Sequence, residues 1–211
     1  MKKRIIALLC VLALTATSLT ACSLFRGSKK TTINGVDVEE IQYHNGSSDY
    51  LFLVMTNRTG RSCDLEISVT FMDDNGNIVD TVNKDTISAF GQDTTVVDQF
   101  YSDVAFTACD YDIVVKPLST DIPIDADLKP KIDPRGEDVE ISVTNNSSTT
   151  AEFVEYYILY YKSNMLVDYD WGYCDDDDNE IKPGETAYRE ENCFEPYDNA
   201  TLYIHGRAKT R

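Results

Sequence analysis

The stretch CDLEISVTFMDDNGNIVD, residues 63–80, predicts the fold class of this protein. Leu65, Ile67 and Val69 alternate with polar residues, and a period of two is typical of a β-strand with one buried face. The segment 74–77 that follows, Asp-Asn-Gly-Asn, is a turn signal because Asn and Gly tolerate positive φ. Apolar residues then resume, so the stretch predicts a β-hairpin.

The chain contains this pattern twice. The first copy begins with YLFLVMTNRT at 50–59, and the second begins with VEISVTNNSS at 139–148 and continues with AEFVEYYILYYKSNMLVDYD at 151–170. No stretch after residue 30 has a helical period, so we predict an all-β chain with two tandem β-sandwich domains. The landmarks that we match are Thr56-Asn57 with Thr144-Asn145, Gly91 with Gly184, and Tyr101 with Tyr197.

The order of features in each copy resembles a known family. A strand ending in Thr-Asn, an aromatic strand, the turn IKPGET at 181–186 and the late Pro196-Tyr197 are similar to FxLYD-type immunoglobulin-like modules of bacterial surface proteins. The first copy departs from the pattern, with FGQD at 90–93 in place of the Pro-Gly turn. The resemblance implies immunoglobulin-like sandwiches outside the cytoplasm, in a family without assigned catalysis.

The amino terminus predicts a lipoprotein signal. Three basic residues precede an uncharged segment, 5–21, which is shorter than a membrane span and ends in small residues. Leu19-Thr20-Ala21-Cys22 resembles the lipobox of bacterial lipoproteins, which implies cleavage before Cys22 and a diacylglyceryl group on its thiol. The alternative is an ordinary signal peptide with a chance cysteine. The predicted segments are signal peptide 1–21, lipidated tether 22–32, first sandwich 33–118 and second sandwich 119–207.

Charge restricts the partners. The chain has a formal charge of −17, and removal of 1–21, with three basic and no acidic residues, leaves −20. An acidic body is repelled by anionic headgroups, so membrane attachment needs the lipid anchor. No basic stripe exists to neutralise phosphates, which excludes nucleic acid as a partner. We expect an extracytoplasmic location, attachment to the cell membrane through the anchor, a protein or envelope component as partner, and no cofactor.

Four further cysteines predict disulfides. An even number of cysteines in an extracytoplasmic chain favours bridges, and three pairings are possible. We favour Cys63 with Cys109, which share parity with apolar neighbours, and Cys174 with Cys193, which a hairpin centred on Pro183-Gly184 would place opposite each other. The alternative is four free thiols.

The second copy concentrates aromatic residues, so that both faces of EFVEYYILYY are apolar. One face should line the core, and the other needs cover from the first domain, another chain or a ligand. The predicted ligand face consists of Tyr157, Tyr161, Tyr169, Trp171 and Tyr173.

The acidic run Asp175, Asp176, Asp177 and Asp178 is a weak calcium candidate, because consecutive carboxylates point in different directions. The loop 73–77 begins like a calcium loop but lacks its final glutamate. No nucleophile elbow, phosphate loop or zinc motif occurs, so we expect no catalysis. The predicted function is a lipid-anchored, non-catalytic binding or spacer module. The alternative is a receptor that binds a glycan or calcium through the aromatic face or acidic loop.

Overall fold

The computed structural model describes residues 29–46, 48–174 and 180–209. These residues form β-strands and turns without a helix, which confirms the all-β prediction. The predicted signal peptide, Cys22, most of the tether and Asp175–Asp178 lie outside the described residues. Strand β1 begins at Lys29, inside the segment predicted as tether.

The first sandwich packs a four-stranded sheet, in the order β1-β2-β3-β6, against a three-stranded sheet, β5-β4-β7. Its strands are β1 Lys29–Ile33, β2 Val36–His44, β3 Asp49–Asn57, β4 Cys63–Met72, β5 Ile78–Phe90, β6 Thr95–Ser102 and β7 Ala108–Pro117.

The second sandwich packs the sheet β14-β10-β9 against the sheet β12-β11-β15-β8, with β13 paired to β11. Its strands are β8 Asp121–Pro123, β9 Leu128–Arg135, β10 Asp138–Asn145, β11 Ala151–Lys162, β12 Met165–Tyr173, β13 Glu180–Ile181, β14 Thr186–Asn192 and β15 Asn199–Lys209. Strand β9 contains Pro130 and Pro134, which it tolerates because it lies at the edge of its sheet.

The alternation in the opening stretch sets the first core. Leu65, Ile67, Val69 and Phe71 are buried between the two sheets. The hairpin of β4 and β5 turns at 73–77, where Asp73 Oδ1 accepts hydrogen bonds from the backbone N–H groups of Asn75 and Asn77. The aspartate is therefore part of the turn's own hydrogen bonding.

A buried asparagine holds the equivalent crossover in each sandwich. Asn57 Nδ2 donates to the carbonyl oxygen of Phe90 at 3.1 Å, and Asn145 Nδ2 donates to that of Ile181 at 2.7 Å. Both asparagines have no exposed surface. After Ile181 the chain crosses to the opposite sheet of the second sandwich, so 182–185 is a turn between sheets. The predicted hairpin around Pro183-Gly184 is wrong, because β13 pairs with β11 whereas β14 pairs with β10.

The hydrogen bonds of this crossover also correct two landmarks of the repeat. Asp93 N donates to the Asn57 carbonyl as Gly184 N donates to that of Asn145, so Gly184 corresponds to Asp93 and not to Gly91. Both have positive φ, 58° and 79°.

The second landmark concerns the residues after β6 and β14. The ring of Phe106 packs on Phe71 and that of Tyr197 on Tyr160, so Tyr197 corresponds to Phe106 and not to Tyr101. The matched pair Thr56-Asn57 and Thr144-Asn145 holds, because the two threonines make the same cross-strand hydroxyl contact, with Thr95 and Thr186.

A third apolar core joins the two sandwiches. The outer face of β2, β3 and β6 packs on the outer face of β11, β12 and β15. Phe52, Val54 and Val97 contribute from the first domain, and Tyr157 and Leu159 from the second. The two sheets thereby cover each other's apolar outer faces.

Candidate functional site

The predicted ligand face is divided by the contact between the domains. Tyr157, Tyr161 and Tyr169 lie in or against the interdomain core. Trp171 and Tyr173 extend beyond it and are 53% and 38% exposed. The structure therefore places all five side chains on one face; Tyr157 is buried, Tyr161 and Tyr169 are partly buried, and Trp171 and Tyr173 are exposed.

Tyr169 is the centre of the interdomain contact. Its ring centroid lies 4.8 Å from that of Phe52 and 5.7 Å from that of Tyr43, and its hydroxyl accepts a hydrogen bond from Gln99 Nε2 at 2.9 Å. The Tyr43 hydroxyl donates to the Val167 carbonyl at 3.0 Å. Burial, together with the charge of Asp168 and other neighbouring groups, raises the pKa of Tyr43 to about 12, so this phenol stays protonated and donating.

A cleft of about 270 Å³ opens beside this contact and takes its walls from both domains. Strands β5 and β6 form the side of the first domain, and β11, β12 and β15 form the side of the second. The polar and aromatic residues that line it are Thr86, Ser88, Asp98, Phe153, Glu155, Tyr173, His205 and Arg207.

His205 lines the cleft and pairs with the buried carboxylate of Asp125. Its Nδ1 lies 3.1 Å from Asp125 Oδ1, and that carboxylate also accepts the backbone N–H of Gly206 at 2.8 Å. Burial alone lowers the pKa of His205, but the charge of Asp125, its hydrogen bond, the charge of Glu155 and the Ser88 backbone raise it above the ordinary value. Since Ser88 belongs to the first domain, the His205 ring connects the two sandwiches.

Arg207 forms a second connection across the cleft. Its Nη1 donates to Ser88 Oγ at 2.7 Å, and its Nε lies 3.4 Å from Asp121 Oδ2. The guanidinium carbon lies 4.9 Å above the ring of Phe153, a cation–π contact. Phe153 has a φ of 50° and lies in a bulge of β11.

The four predicted disulfide cysteines are buried thiols that form no disulfide, so both predicted bridges are wrong. In the register of β4 and β7, Cys63 lies opposite Pro117 and Cys109 opposite Phe71. The two cysteines are eight residues apart along the sheet, roughly 26 Å, whereas a bridge needs Cα atoms within about 7 Å. Both cysteines are buried, as their shared parity with apolar neighbours predicts. Parity does not determine where along the strands they lie.

The second predicted bridge, Cys174 with Cys193, depended on a hairpin around Pro183-Gly184 that the structure does not contain. Cys174 N donates to the Val154 carbonyl, whereas Cys193 Sγ lies 3.8 Å from Asp168 Oδ2, six residues earlier on β12. Cys174 is therefore separated along the strand by roughly 20 Å from Asp168, the residue that Cys193 contacts. Burial, partly opposed by a hydrogen bond to the Glu195 backbone, raises the pKa of Cys193 to about 11, so the thiol stays protonated.

The sequence predictions missed His205, Arg207, Phe153 and Ser88. One signal was present for the first two, because Tyr203, His205 and Arg207 alternate with apolar residues in TLYIHGRAK, 201–209. That pattern predicts one polar face on β15. No local signal marks Ser88, since its role depends on the contact between the domains.

Comparisons with known proteins identify no family. No protein-family model matches the chain, and no curated protein matches it. One similar solved structure is red sea bream transglutaminase, with 12% identity and a TM-score of 0.28. The match covers 80% of this chain and 29% of that enzyme. A similarity this weak carries no argument about function.

Within 29–46, 48–174 and 180–209, no group of three or more His, Cys, Asp or Glu side chains is arranged to hold a metal ion. No helix in the same part of the chain is long and apolar enough to cross a membrane. The weak calcium candidates Asp175–Asp178 lie outside these ranges.

Proposed function

We propose that this protein is a lipid-anchored, extracytoplasmic binding or spacer module that performs no catalysis. The observation that carries the proposal is the interdomain core, which packs the outer faces of the two sandwiches together. A pair of domains joined in this way has a fixed orientation and holds a surface at a set distance from its anchor. The sequence supports the anchor through the lipobox-like Leu19-Thr20-Ala21-Cys22 and the acidic charge of the mature chain.

The state of the thiols supports a non-catalytic role. A nucleophilic cysteine needs a lowered pKa and an accessible sulfur. Burial instead raises the pKa of Cys63 and of Cys193, and Cys109 and Cys174 are buried as well.

Membrane fractionation of two variants tests the anchor. We expect the wild-type chain in the membrane fraction, with the mass of residues 22–211 plus a diacylglyceryl group. Cys22→Ala should leave the lipid off and shift the protein out of that fraction. Cys10→Ala, in the predicted signal peptide, is the matched control and should behave as wild type. An unlipidated wild-type protein, or a lipidated Cys22→Ala protein, would contradict the proposal.

A receptor for a glycan is the second candidate. The exposed ring of Tyr173, which lines a polar cleft, and that of Trp171 two residues earlier on β12 favour it, because surface aromatic residues beside hydrogen-bonding groups suit ligands with both apolar and polar faces. Calcium binding through Asp175–Asp178 has no corresponding observation among the described residues.

A further inference from the structure

An aromatic rim adjoins the cleft between the domains: Tyr173 and Phe153 line the cleft, and Trp171 is near Tyr173 on β12. Trp171, Tyr173 and Phe153 are 53%, 38% and 40% exposed. Trp171 and Tyr173 are two residues apart on one face of β12, so their Cα atoms are roughly 7 Å apart. The Trp171 ring stacks on Tyr157, with centroids 6.4 Å apart and planes inclined by 22°. Since Tyr157 is buried in the interdomain core, this stacking holds the indole in place while leaving it accessible.

The bulge that presents Phe153 has no counterpart on the equivalent strand of the first domain. There β4 pairs with β7 without a register shift, and Asp64 is buried and accepts the backbone N–H groups of Ala89 and Ser119. In β11 the bulge instead presents a half-exposed phenyl ring on backbone with positive φ. Strained backbone of this kind concentrates at binding sites, and the first domain shows that the fold itself does not need an aromatic side chain here.

The charges of the cleft favour an uncharged ligand. The two cations, Arg207 and His205, each have a carboxylate of the same domain beside them, Asp121 and Asp125. Two further carboxylates, Asp98 and Glu155, line the same cleft. An anionic ligand would therefore meet net negative charge. A purely apolar ligand would bury these polar groups without replacing their hydrogen bonds to water.

The size of the cleft limits the ligand further. Its volume of about 270 Å³ lies just below the range of about 300–1,000 Å³ for sites that hold drug-sized molecules. A sugar ring has an apolar face of C–H groups and a rim of hydroxyls, which matches an aromatic rim beside a polar cleft. The spacing of the exposed Trp171 and Tyr173 rings on β12 suits two neighbouring sugar units of a carbohydrate chain.

We propose that the interdomain cleft binds the end of a neutral carbohydrate chain. The apolar faces of the sugar rings would pack on Trp171 and Tyr173, and hydroxyl groups of the terminal unit would bond to Glu155, Ser88 and Arg207. This inference rests on the receptor form of the proposed function. It is independent of the lipid anchor, so fractionation and binding can succeed or fail separately.

Trp171 makes the test specific, because it is the one tryptophan of the chain. The probes are maltotriose, cellotriose and N-acetylchitotriose as neutral chains, trigalacturonate as an anionic chain and spermidine as a cation. We expect at least one neutral trisaccharide to shift the Trp171 emission to shorter wavelength. Tyr173→Ala should weaken that binding by about tenfold or more. Tyr101→Ala, which removes a 58%-exposed ring of the first domain, is the matched control and should leave it unchanged.

Three outcomes would overturn the inference. The first is that no neutral trisaccharide at about 10 mM, a concentration at which even weak complexes form, changes the emission. The second is that Tyr101→Ala weakens binding as much as Tyr173→Ala. The third is that spermidine or trigalacturonate binds more tightly than every neutral chain. Circular dichroism of both variants shows whether each is folded, and Glu155→Gln provides a third variant if Tyr173→Ala is not.

Discussion

At the residue scale, the two buried asparagines show how one side chain fixes a crossover. Asn145 Nδ2 donates to two carbonyl oxygens, those of Ile181 and Thr149, while its Oδ1 accepts the backbone N–H of Ser147. Asn57 makes the same set of bonds to Phe90, Arg61 and Thr59. Each asparagine thus joins the loop that follows its own strand to the last residue of β5 or β13, and satisfies backbone groups of both.

Asn145→Asp tests this role with a minimal change of shape. The carboxylate cannot donate, and it would stand against two carbonyl oxygens in a buried site. We expect a loss of about 2–4 kcal/mol in the free energy of unfolding, measured by urea denaturation. Asn146→Asp makes the same chemical change at the exposed neighbouring position and should cost less than about 0.5 kcal/mol. Equal effects of the two variants would contradict the assigned role.

At the element scale, the strand register decides the chemistry of the cysteines. Period-two alternation correctly predicts which face a residue occupies, but a disulfide also requires the right position along the strand. Cys63 and Cys109 lie at opposite ends of the β4–β7 pairing. The sequence carried no signal for this register, because β4 and β7 are separated by two other strands.

Thiol counting tests the register directly. We expect alkylation in denaturant without reductant to label all four of Cys63, Cys109, Cys174 and Cys193, and alkylation of the native protein to label none, because all four are buried. Reductant should leave the melting temperature unchanged, whereas loss of a real bridge would lower stability by about 2–4 kcal/mol. Labelling that appears only after reduction would contradict the register.

At the scale of the whole molecule, the interdomain core makes the two sandwiches depend on each other. Removing the Tyr169 ring deletes its contacts with Phe52, Tyr43 and Tyr50 and its bond with Gln99. We expect Tyr169→Ala to cost about 2–4 kcal/mol and to separate one cooperative unfolding transition into two. Small-angle scattering should then report a more extended protein.

Tyr188→Ala is the control for this prediction, because Tyr188 is 66% exposed on the opposite sheet of the second domain. It should retain a single transition and the wild-type scattering curve. If Tyr169→Ala also retained both, the two domains would not be coupled through this face.

His205 gives the contact between the domains a pH dependence. Its pKa in the folded protein is raised, and Asp125, Glu155 and the Ser88 backbone stabilise the charged ring. Arg207, which faces the same cleft, opposes that charge. A raised pKa means that the stabilisation is complete below the unfolded pKa of about 6.5 and is lost as the pH rises through the folded value.

Unfolding of wild type and His205→Gln between pH 5.5 and 9 measures this contribution. We expect wild type to lose stability over the upper part of that range and the variant to lack this loss. His44→Gln changes the other histidine of the chain, which is solvent exposed, and should keep the wild-type profile. A parallel profile for wild type and His205→Gln would contradict the role of the ion pair.

The sequence by itself determined the all-β class and the repeated Thr-Asn corner, because alternation and turn residues are local signals. The sequence also indicated that the aromatic strand of the second copy is apolar on both faces, so that one face must be covered by another part of the structure. Only the tertiary structure decided that the first domain supplies that cover, that 182–185 crosses between sheets, and that the cysteines lie apart. These features depend on strand register and on contacts between residues far apart in the chain, which no local pattern encodes. The cleft also depends on such distant contacts, since its walls come from both domains.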